Sequence, residues 1–161
     1  MANLGIMRRT MSGRYLRVIL GALVLLTFPL NVVSAPVLSI GHRGNSLFAP
    51  ENTLASFTAA RGKADLMETD GRTSADGKLV IMHDATVDRT TDGTGTVASL
   101  SLAQLKLLDA GSWFDASFAG QRVLTLEEMI TNALPYATPL IEQKDGTASA
   151  YVDELRRLGV V

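Results

Sequence analysis

Two short strand-like runs, each ending in side chains that can do chemistry, constrain this chain most strongly. The first run spans residues 37–40 and leads into a Gly-His-Arg-Gly turn. The second spans residues 64–70 and carries Glu68 and Asp70, and a helix-like segment separates the two runs. Short apolar runs that alternate with helix-length segments favour parallel strands, and side chains two residues apart on a strand share one face. The sequence therefore predicts an α/β fold in which both carboxylates point the same way.

The rest of the chain continues the same alternation. Asp76 and Gly77 form a tight-turn signal before a third apolar run at residues 78–82. Ser101 with Gln104, and Thr125 with Glu128, have the spacing of helix capping boxes. Further elements are predicted as helices at about 52–62, 102–108, 126–134 and 149–158, a strand from 139 to about 144, and a strand opening at 160–161.

Candidate site residues gather where the predicted strands end. In α/β folds with parallel strands, the carboxyl ends of the strands build the site. The chain has two histidines, and each follows an apolar run, at equivalent strand ends by this interpretation. A single histidine is more often structural, but two so placed predict a general acid/base pair. The residues expected at these ends are His42, Glu68, Asp70, His83, Glu142 and Lys144.

Three of the expected carboxylates form a candidate cation site. Glu68, Asp70 and Glu142 together would supply the oxygen ligands that Ca²⁺ or Mg²⁺ prefers. Arg43 and Lys144 would neutralise the charge of a bound phosphate. The alternative is that the two cations pair with these same carboxylates, and both roles can hold together.

Charge and cysteine content exclude several function classes. The chain has fifteen basic and sixteen acidic residues, but residues 1–35 hold four arginines and no acid. The remainder carries a net charge of about -5, which argues against a general nucleic-acid binder. With no cysteine in the sequence, disulfides, thiolate metal sites and a cysteine nucleophile are excluded.

The first 35 residues are interpreted as a signal peptide. A basic stretch precedes a continuously apolar run from Val18 to Phe28, and Val33-Ser34-Ala35 offers small residues for cleavage. The apolar run is shorter than the ~20 residues of a membrane span. We therefore expect export to the periplasm or the outside, with no stable span after cleavage. Pro36 after the proposed cut leaves an uncleaved anchor as the alternative.

With these motifs in order, the chain resembles the glycerophosphodiester phosphodiesterase family over roughly residues 38 to 158. The resemblance implies a TIM barrel that hydrolyses glycerophosphodiesters, the deacylated phospholipids, to sn-glycerol 3-phosphate and an alcohol. The substrate's glycerol hydroxyl would attack first, and water would then open the cyclic phosphate. The matching segments are His42-Arg43-Gly44, residues 49–53 (Ala-Pro-Glu-Asn-Thr), Glu68-Thr69-Asp70, His83-Asp84, residues 89–95, residues 125–128 and residues 141–144.

The resemblance also implies roles for single residues. His42 and His83 match the general acid/base pair, and Glu51 and Asn52 match residues that line the site. The stretch from about 85 to 133 matches the family's insertion. Remaining matches assign metal binding to Glu68, Asp70 and Glu142, and phosphate contacts to Arg43 and Lys144.

Two departures from the family pattern shape the expectations. Gly71 stands where an apolar strand residue is usual, so we expect a weakened strand and a packing gap. The predicted mature chain, residues 36–161, is about half of the ~250 residues of a complete (β/α)₈ barrel. We therefore expect the first half of a barrel, with exposed strand edges that favour self-association.

Two alternative functions stay open at this point. One is a related lipid-cleaving barrel enzyme, of the sphingomyelinase D or phosphatidylinositol phospholipase C type. The other is an inactive fragment that acts only as an interaction module, which the missing half and Gly71 would favour.

Overall fold

A computed structural model describes residues 36–161, so the predicted signal peptide at 1–35 lies outside the described residues. The described part alternates strands and helices as the sequence predicts. The strands are β1 (Ile40–Gly41), β2 (Leu66–Thr73), β3 (Leu79–Ile81) and β4 (Thr138–Gln143). The helices are α1 (Leu54–Ala60), α2 (Leu102–Leu105), α3 (Leu126–Ala133) and α4 (Ala148–Arg157), with short 3-10 turns at Val97–Ser99 and Ala116–Phe118.

Strand β2 is the centre of the sheet. It pairs in parallel with β1, where Ile40 lies opposite Leu66, and in parallel with β4 over six residues. In this register Asp70 lies opposite Glu142. The parallel pairing and the intervening helices confirm the predicted α/β class, and the carboxylates of β2 and β4 meet at one level of the sheet.

Strand β3 is antiparallel to β2, which corrects the expectation of equivalent strand ends for the two histidines. Gly71 lies opposite Ile81 and Thr73 opposite Leu79, so the chain reverses at the predicted Asp76-Gly77 turn. Gly77 adopts φ +74, a left-handed conformation that glycine adopts without steric cost. His83 therefore reaches the site on a returning hairpin strand, whereas His42 follows a parallel strand.

Helix ends follow the local sequence signals closely. Both predicted capping boxes are present, and Thr53 forms a third box with Ser56 at the start of α1. Helix α2 is shorter than predicted, since it ends at Leu105. Residues 160–161 are not in a strand, because Gly159 at φ +70 lets the Val160 N–H close the end of α4 on the Leu155 carbonyl at 3.1 Å.

Two apolar clusters form the core. The first packs α1, α3 and α4 against the sheet through residues such as Phe57, Met67 and Met129. The second lies under the long segment that follows β3 and includes Val80, Leu105 and others. Each fully buried side chain of this kind contributes about 1.5–3 kcal/mol, so both clusters hold their segments in place.

The outer edge of the sheet differs from the sequence prediction. The short apolar run at residues 37–40 predicts a buried parallel strand, yet Val37 is 97% exposed and Ile40 is 54% exposed. The reason is that β1 pairs with β2 alone among the described strands. Within residues 36–161, no helix is both long and apolar enough to cross a membrane.

The packing gap expected at Gly71 is also absent. A Cβ atom at this position would lie 2.5 Å from Cε1 of Tyr151, so the tyrosine ring of α4 occupies the space. The glycine therefore permits close contact between β2 and α4. Strand β2 continues through it to Thr73 without interruption.

Candidate active site

The three predicted metal-binding carboxylates lie together at the carboxyl edge of the parallel strands. Glu68, Asp70 and Glu142 each offer one oxygen, and these oxygens all lie within 4.8 Å of one another. Glu68 and Asp70 alternate with Thr69 on β2, so strand geometry aims both at the same face. Strand alternation and the position of Glu142 at a predicted strand end predict this proximity.

The loop after β1 wraps over this carboxylate cluster. Arg43 adopts φ 55, an unusual conformation for a residue with a side chain, and its backbone N–H donates to Glu68 Oε2 at 2.7 Å. Gly44 next to it adopts φ +82, and a Cβ there would lie 2.5 Å from Ser56 Oγ. The resulting tight turn leaves His42 Nε2 4.0 Å from Glu68 Oε2, with most of the imidazole exposed.

Asn52 fixes the buried carboxylate of Asp70. Its Nδ2 donates to Asp70 Oδ2 at 2.8 Å, and its Oδ1 accepts from Thr69 Oγ1 at 3.0 Å. Asn52 also adopts φ 59, and its backbone N–H donates to the Arg43 carbonyl at 3.1 Å. The resemblance implies that Asn52 lines the site. The sequence also allows either Asn52 or Thr53 as the helix cap, and the structure shows Thr53 in that role.

The two predicted phosphate-binding cations are paired with carboxylates. Arg43 lies 3.1 Å from Glu51 Oε1 through its terminal nitrogen and 3.4 Å from Asp70 Oδ2 through Nε. Lys144 Nζ lies 2.6 Å from Glu142 Oε1 and 3.3 Å from Asp70 Oδ1. The salt-bridge alternative is therefore the arrangement seen, and both cations lie beside the carboxylate cluster.

His83 is held by residues that the sequence analysis did not assign to the site. Its Nδ1 lies 2.8 Å from Asp84 Oδ1, and Arg89 donates to Asp84 through Nε at 2.7 Å. Arg72 donates to the backbone carbonyl of His83 at 3.0 and 2.6 Å. Arg89 stands in the matched segment 89–95, but no local pattern indicates which carboxylates its side chain reaches. Its second partner is Glu51, at 2.8 and 3.0 Å.

Burial and neighbouring charges shift the pKa values of the site in opposite directions. Burial raises the pKa of Glu68 above its ordinary value, although the Arg43 N–H opposes the shift. Burial also acts to raise the pKa of Glu51, but Arg89 and Arg43 together lower it overall. The hydrogen bond from Arg89 holds the pKa of Asp84 well below its usual range. The hydrogen bond to Glu142 raises the pKa of Lys144.

The donor set fits a hard divalent cation. All three groups are carboxylates, which Ca²⁺ and Mg²⁺ bind in preference to softer ligands. Asp70 Oδ1 is buried and accepts no hydrogen bond, since Lys144 is near it without hydrogen-bond geometry. A buried carboxylate oxygen without a hydrogen bond is costly, and a cation bound here would satisfy it. Glu68, Asp70 and Glu142 are thus the residues that would hold a metal ion.

Fold and site together define a class: an α/β protein of the TIM-barrel type with an acidic site at the carboxyl ends of its strands. The model of the glycerophosphoryl diester phosphodiesterase family matches residues 42–155. The chain belongs to this family.

Relatives and solved structures agree with this assignment. A glycerophosphodiester phosphodiesterase of Bacillus subtilis is 39% identical over an alignment 152 residues long, gaps included, that covers 83% of this chain and 52% of that protein. The crystal structure of a glycerophosphodiester phosphodiesterase from Agrobacterium tumefaciens matches with a TM-score of 0.73 and 41% identity, over 76% of this chain and 53% of that chain.

A second solved structure is a phosphodiesterase from Oleispira antarctica in complex with the product sn-glycerol-3-phosphate. It matches with a TM-score of 0.72 and 39% identity, over 75% of this chain and 52% of that chain. The chain spans about half the length of these proteins. The described residues therefore correspond to part of the barrel.

Proposed function

We propose that this chain contributes the acid/base and metal-binding residues of a metal-dependent glycerophosphodiester phosphodiesterase. Its substrate would be a deacylated phospholipid, and its products sn-glycerol 3-phosphate and an alcohol. The observation that carries the proposal is the cluster of Glu68, Asp70 and Glu142 beside Arg43 and Lys144. The product bound in the Oleispira antarctica relative supports the choice of substrate class.

In this proposal the two histidines exchange protons with the substrate. His42 is largely exposed beside Glu68, and His83 is oriented by Asp84, so each imidazole is accessible and differently held. One would remove the proton from the attacking hydroxyl while the other protonates the leaving alcohol. Arg43 and Lys144 would bind the phosphate oxygens. A bound Ca²⁺ or Mg²⁺ would stabilise the negative charge that develops on the phosphate.

The proposal is tested by product release and by metal binding measured separately. Release of glycerol 3-phosphate from glycerophosphocholine is expected with Ca²⁺ or Mg²⁺ and is expected to stop with a chelator. His42→Ala and His83→Ala should each lower turnover by about 10²–10⁴-fold with unchanged folding. Exposed Glu127, on helix α3, gives the control variant Glu127→Gln, which should keep full activity.

Metal binding gives a readout that needs no turnover. Calorimetric titration should show Ca²⁺ or Mg²⁺ binding that Glu68→Gln removes and Glu127→Gln leaves unchanged. Metal binding without turnover would support a binding role for the chain and contradict the enzymatic one. Turnover of intact phospholipid, but not of glycerophosphocholine, would favour the related lipid-cleaving enzymes instead.

Two further parts of the proposal concern where and how the chain acts. The basic and apolar layout of residues 1–35 supports export to the periplasm or the outside. The edge formed by β1, with Ile40 and the preceding Leu38 exposed, supports self-association. Cell fractionation tests the first part, and size-exclusion chromatography with light scattering tests the second. Recovery of the chain in the cytoplasmic fraction would contradict export. A strictly monomeric chain would contradict self-association.

A further inference from the structure

A line of alternating charges connects His83 to the carboxylate cluster through Arg89. Asp84 Oδ1 lies 2.8 Å from His83 Nδ1. Arg89 binds Asp84 with two hydrogen bonds, at 2.7 and 3.0 Å, and binds Glu51 with two more, at 3.0 and 2.8 Å. Glu51 Oε1 also accepts from Arg43 at 3.1 Å. A single guanidinium therefore joins the segment after β3 to the loop before α1.

The geometry of this bridge is more specific than that of an ordinary surface ion pair. An isolated exposed pair contributes little, because two long side chains lose conformational freedom to form it. Here the planar guanidinium is fixed by paired hydrogen bonds on two of its edges, which restricts both carboxylates at once. The main chain of His83 is fixed independently, since Arg72 donates to its carbonyl. The Asp84 carboxylate therefore contacts the imidazole ring on one side and Arg89 on the other.

We propose that Arg89 is a positioning residue that holds Asp84 as the hydrogen-bond acceptor for His83 Nδ1. In this arrangement the neutral imidazole carries its proton on Nδ1 and presents the lone pair of Nε2 to the site. The tautomer of a histidine is set by the hydrogen bond that its other ring nitrogen makes. The chemical purpose of this arrangement rests on the proposed function, in which His83 exchanges a proton with the substrate. The arrangement itself does not depend on turnover.

The sequence makes this inference directly measurable, because the chain contains only two histidines. Long-range ¹H–¹⁵N correlation spectra of the untagged full chain, recorded at about pH 9, report the tautomer of each neutral imidazole. The variant His42→Gln assigns the two sets of signals. In the parent chain, His83 is expected mainly as the Nδ1–H tautomer.

Arg89→Ala is the decisive variant, and Arg157→Ala is its matched control. Arg157 also bridges two carboxylates, Glu127 and Glu154, at 2.6 to 2.8 Å, but neither of them contacts a histidine. In Arg89→Ala the ratio of Nδ1–H to Nε2–H tautomer at His83 should fall by about threefold or more. The ratio should be unchanged in Arg157→Ala, and the His42 signals should be unchanged in both variants.

A folded Arg89→Ala chain with the parent tautomer ratio at His83 would overturn the inference. If that variant gives no folded spectrum, Arg89→Lys decides, because an ammonium group cannot make paired bonds to two carboxylates. A partial fall in the ratio then supports the inference, and an unchanged ratio overturns it.

Turnover separates this inference from the proposed function. A parent chain that shows the tautomer change but hydrolyses no glycerophosphodiester would retain the positioning role and contradict the proposed function. An active parent chain whose Arg89→Ala variant keeps the parent tautomer ratio at His83 would support the proposed function and contradict the positioning role. If both hold, Arg89→Ala should lower kcat more than it changes KM, because Arg89 acts through His83 and not on the substrate.

Discussion

Asp70 and Glu142 lie at the same level of neighbouring strands, yet their surroundings are opposite. Asp70 is on β2, which pairs on both edges, and its side chain is 0% exposed. Glu142 is on β4, which pairs only with β2 among the described strands, and its side chain is 55% exposed. One register position therefore holds both a buried and a solvated carboxylate.

The contrast gives the two carboxylates different roles in the proposed metal site. Asp70 accepts a hydrogen bond from Asn52 and lies close to Arg43 and Lys144, so it is fixed before any ligand binds. Glu142 has one cationic partner, Lys144, and is open to water. A fixed carboxylate gives the site its geometry, and a solvated one can adjust to an incoming cation.

The largest expected effect is the loss of the fixed carboxylate. Asp70→Ala leaves Arg43, Lys144 and Asn52 without their shared buried partner, so the free energy of unfolding should fall by about 3–5 kcal/mol. Urea unfolding followed by circular dichroism measures it. Asp153→Ala on helix α4 is the control, since its pair with Arg156 is solvent-exposed and should contribute no more than about 1 kcal/mol. Equal losses of stability in the two variants would contradict the conclusion that Asp70 is a buried carboxylate fixed by its partners.

The next effect tests how close helix α4 comes to β2. Gly71→Ala would place a Cβ 2.5 Å from the Tyr151 ring, so stability should fall by about 1–3 kcal/mol through overpacking. The same substitution in a Tyr151→Leu background should cost clearly less, because the smaller side chain can move away. Thermal unfolding of the four chains gives the coupling. An equal cost in both backgrounds would mean that Tyr151 is not the cause.

Much of this arrangement follows from the sequence, and the rest depends on contacts between distant residues. Strand alternation and the order of motifs predicted that Glu68, Asp70 and Glu142 would meet, and local spacing predicted both capping boxes. The Asp76-Gly77 signal indicated the turn before β3, but the antiparallel return of His83 was not drawn from it. The pairing direction of a strand decides at which edge of the sheet it ends. The prediction that both histidines follow equivalent strand ends was therefore wrong for His83.

The contacts that the sequence did not predict have one physical feature in common, since they join residues that are far apart in the sequence. Arg89 reaches Glu51 across 38 positions of sequence, and Tyr151 fills the space above Gly71 from a separate helix. Neither contact has a local period or a spacing that could indicate it. A glycine in a strand is equally consistent with a gap and with close packing, and only the tertiary structure decides between them.

A smaller effect concerns the hydroxyl of Tyr151 and depends on pH. This oxygen is buried without a hydrogen-bond partner, and burial raises the pKa of Tyr151 to about 12. The folded state therefore resists ionisation, so this contribution is fully present below the unfolded pKa of about 10 and is lost as pH rises towards about 12. Tyr151→Phe should be neutral or more stable by up to about 1 kcal/mol near pH 7.

Urea unfolding at several pH values between about 9 and 12 measures this dependence. The parent should lose stability over that window more steeply than Tyr151→Phe, which has no phenolic proton at this position. Parallel pH curves for the two chains would contradict the buried, unpartnered hydroxyl.

The smallest effect on stability is expected at the solvated carboxylate. Glu142→Gln should change the free energy of unfolding by less than about 0.5 kcal/mol, because an exposed pair with Lys144 contributes little. The same variant should weaken Ca²⁺ or Mg²⁺ binding by about tenfold, since one of three anionic ligands is lost. Calorimetric titration and urea unfolding of one protein preparation separate the two quantities. A stability loss as large as that of Asp70→Ala would mean that Glu142 supports the fold; unchanged metal affinity would mean that β2 alone forms the cation site.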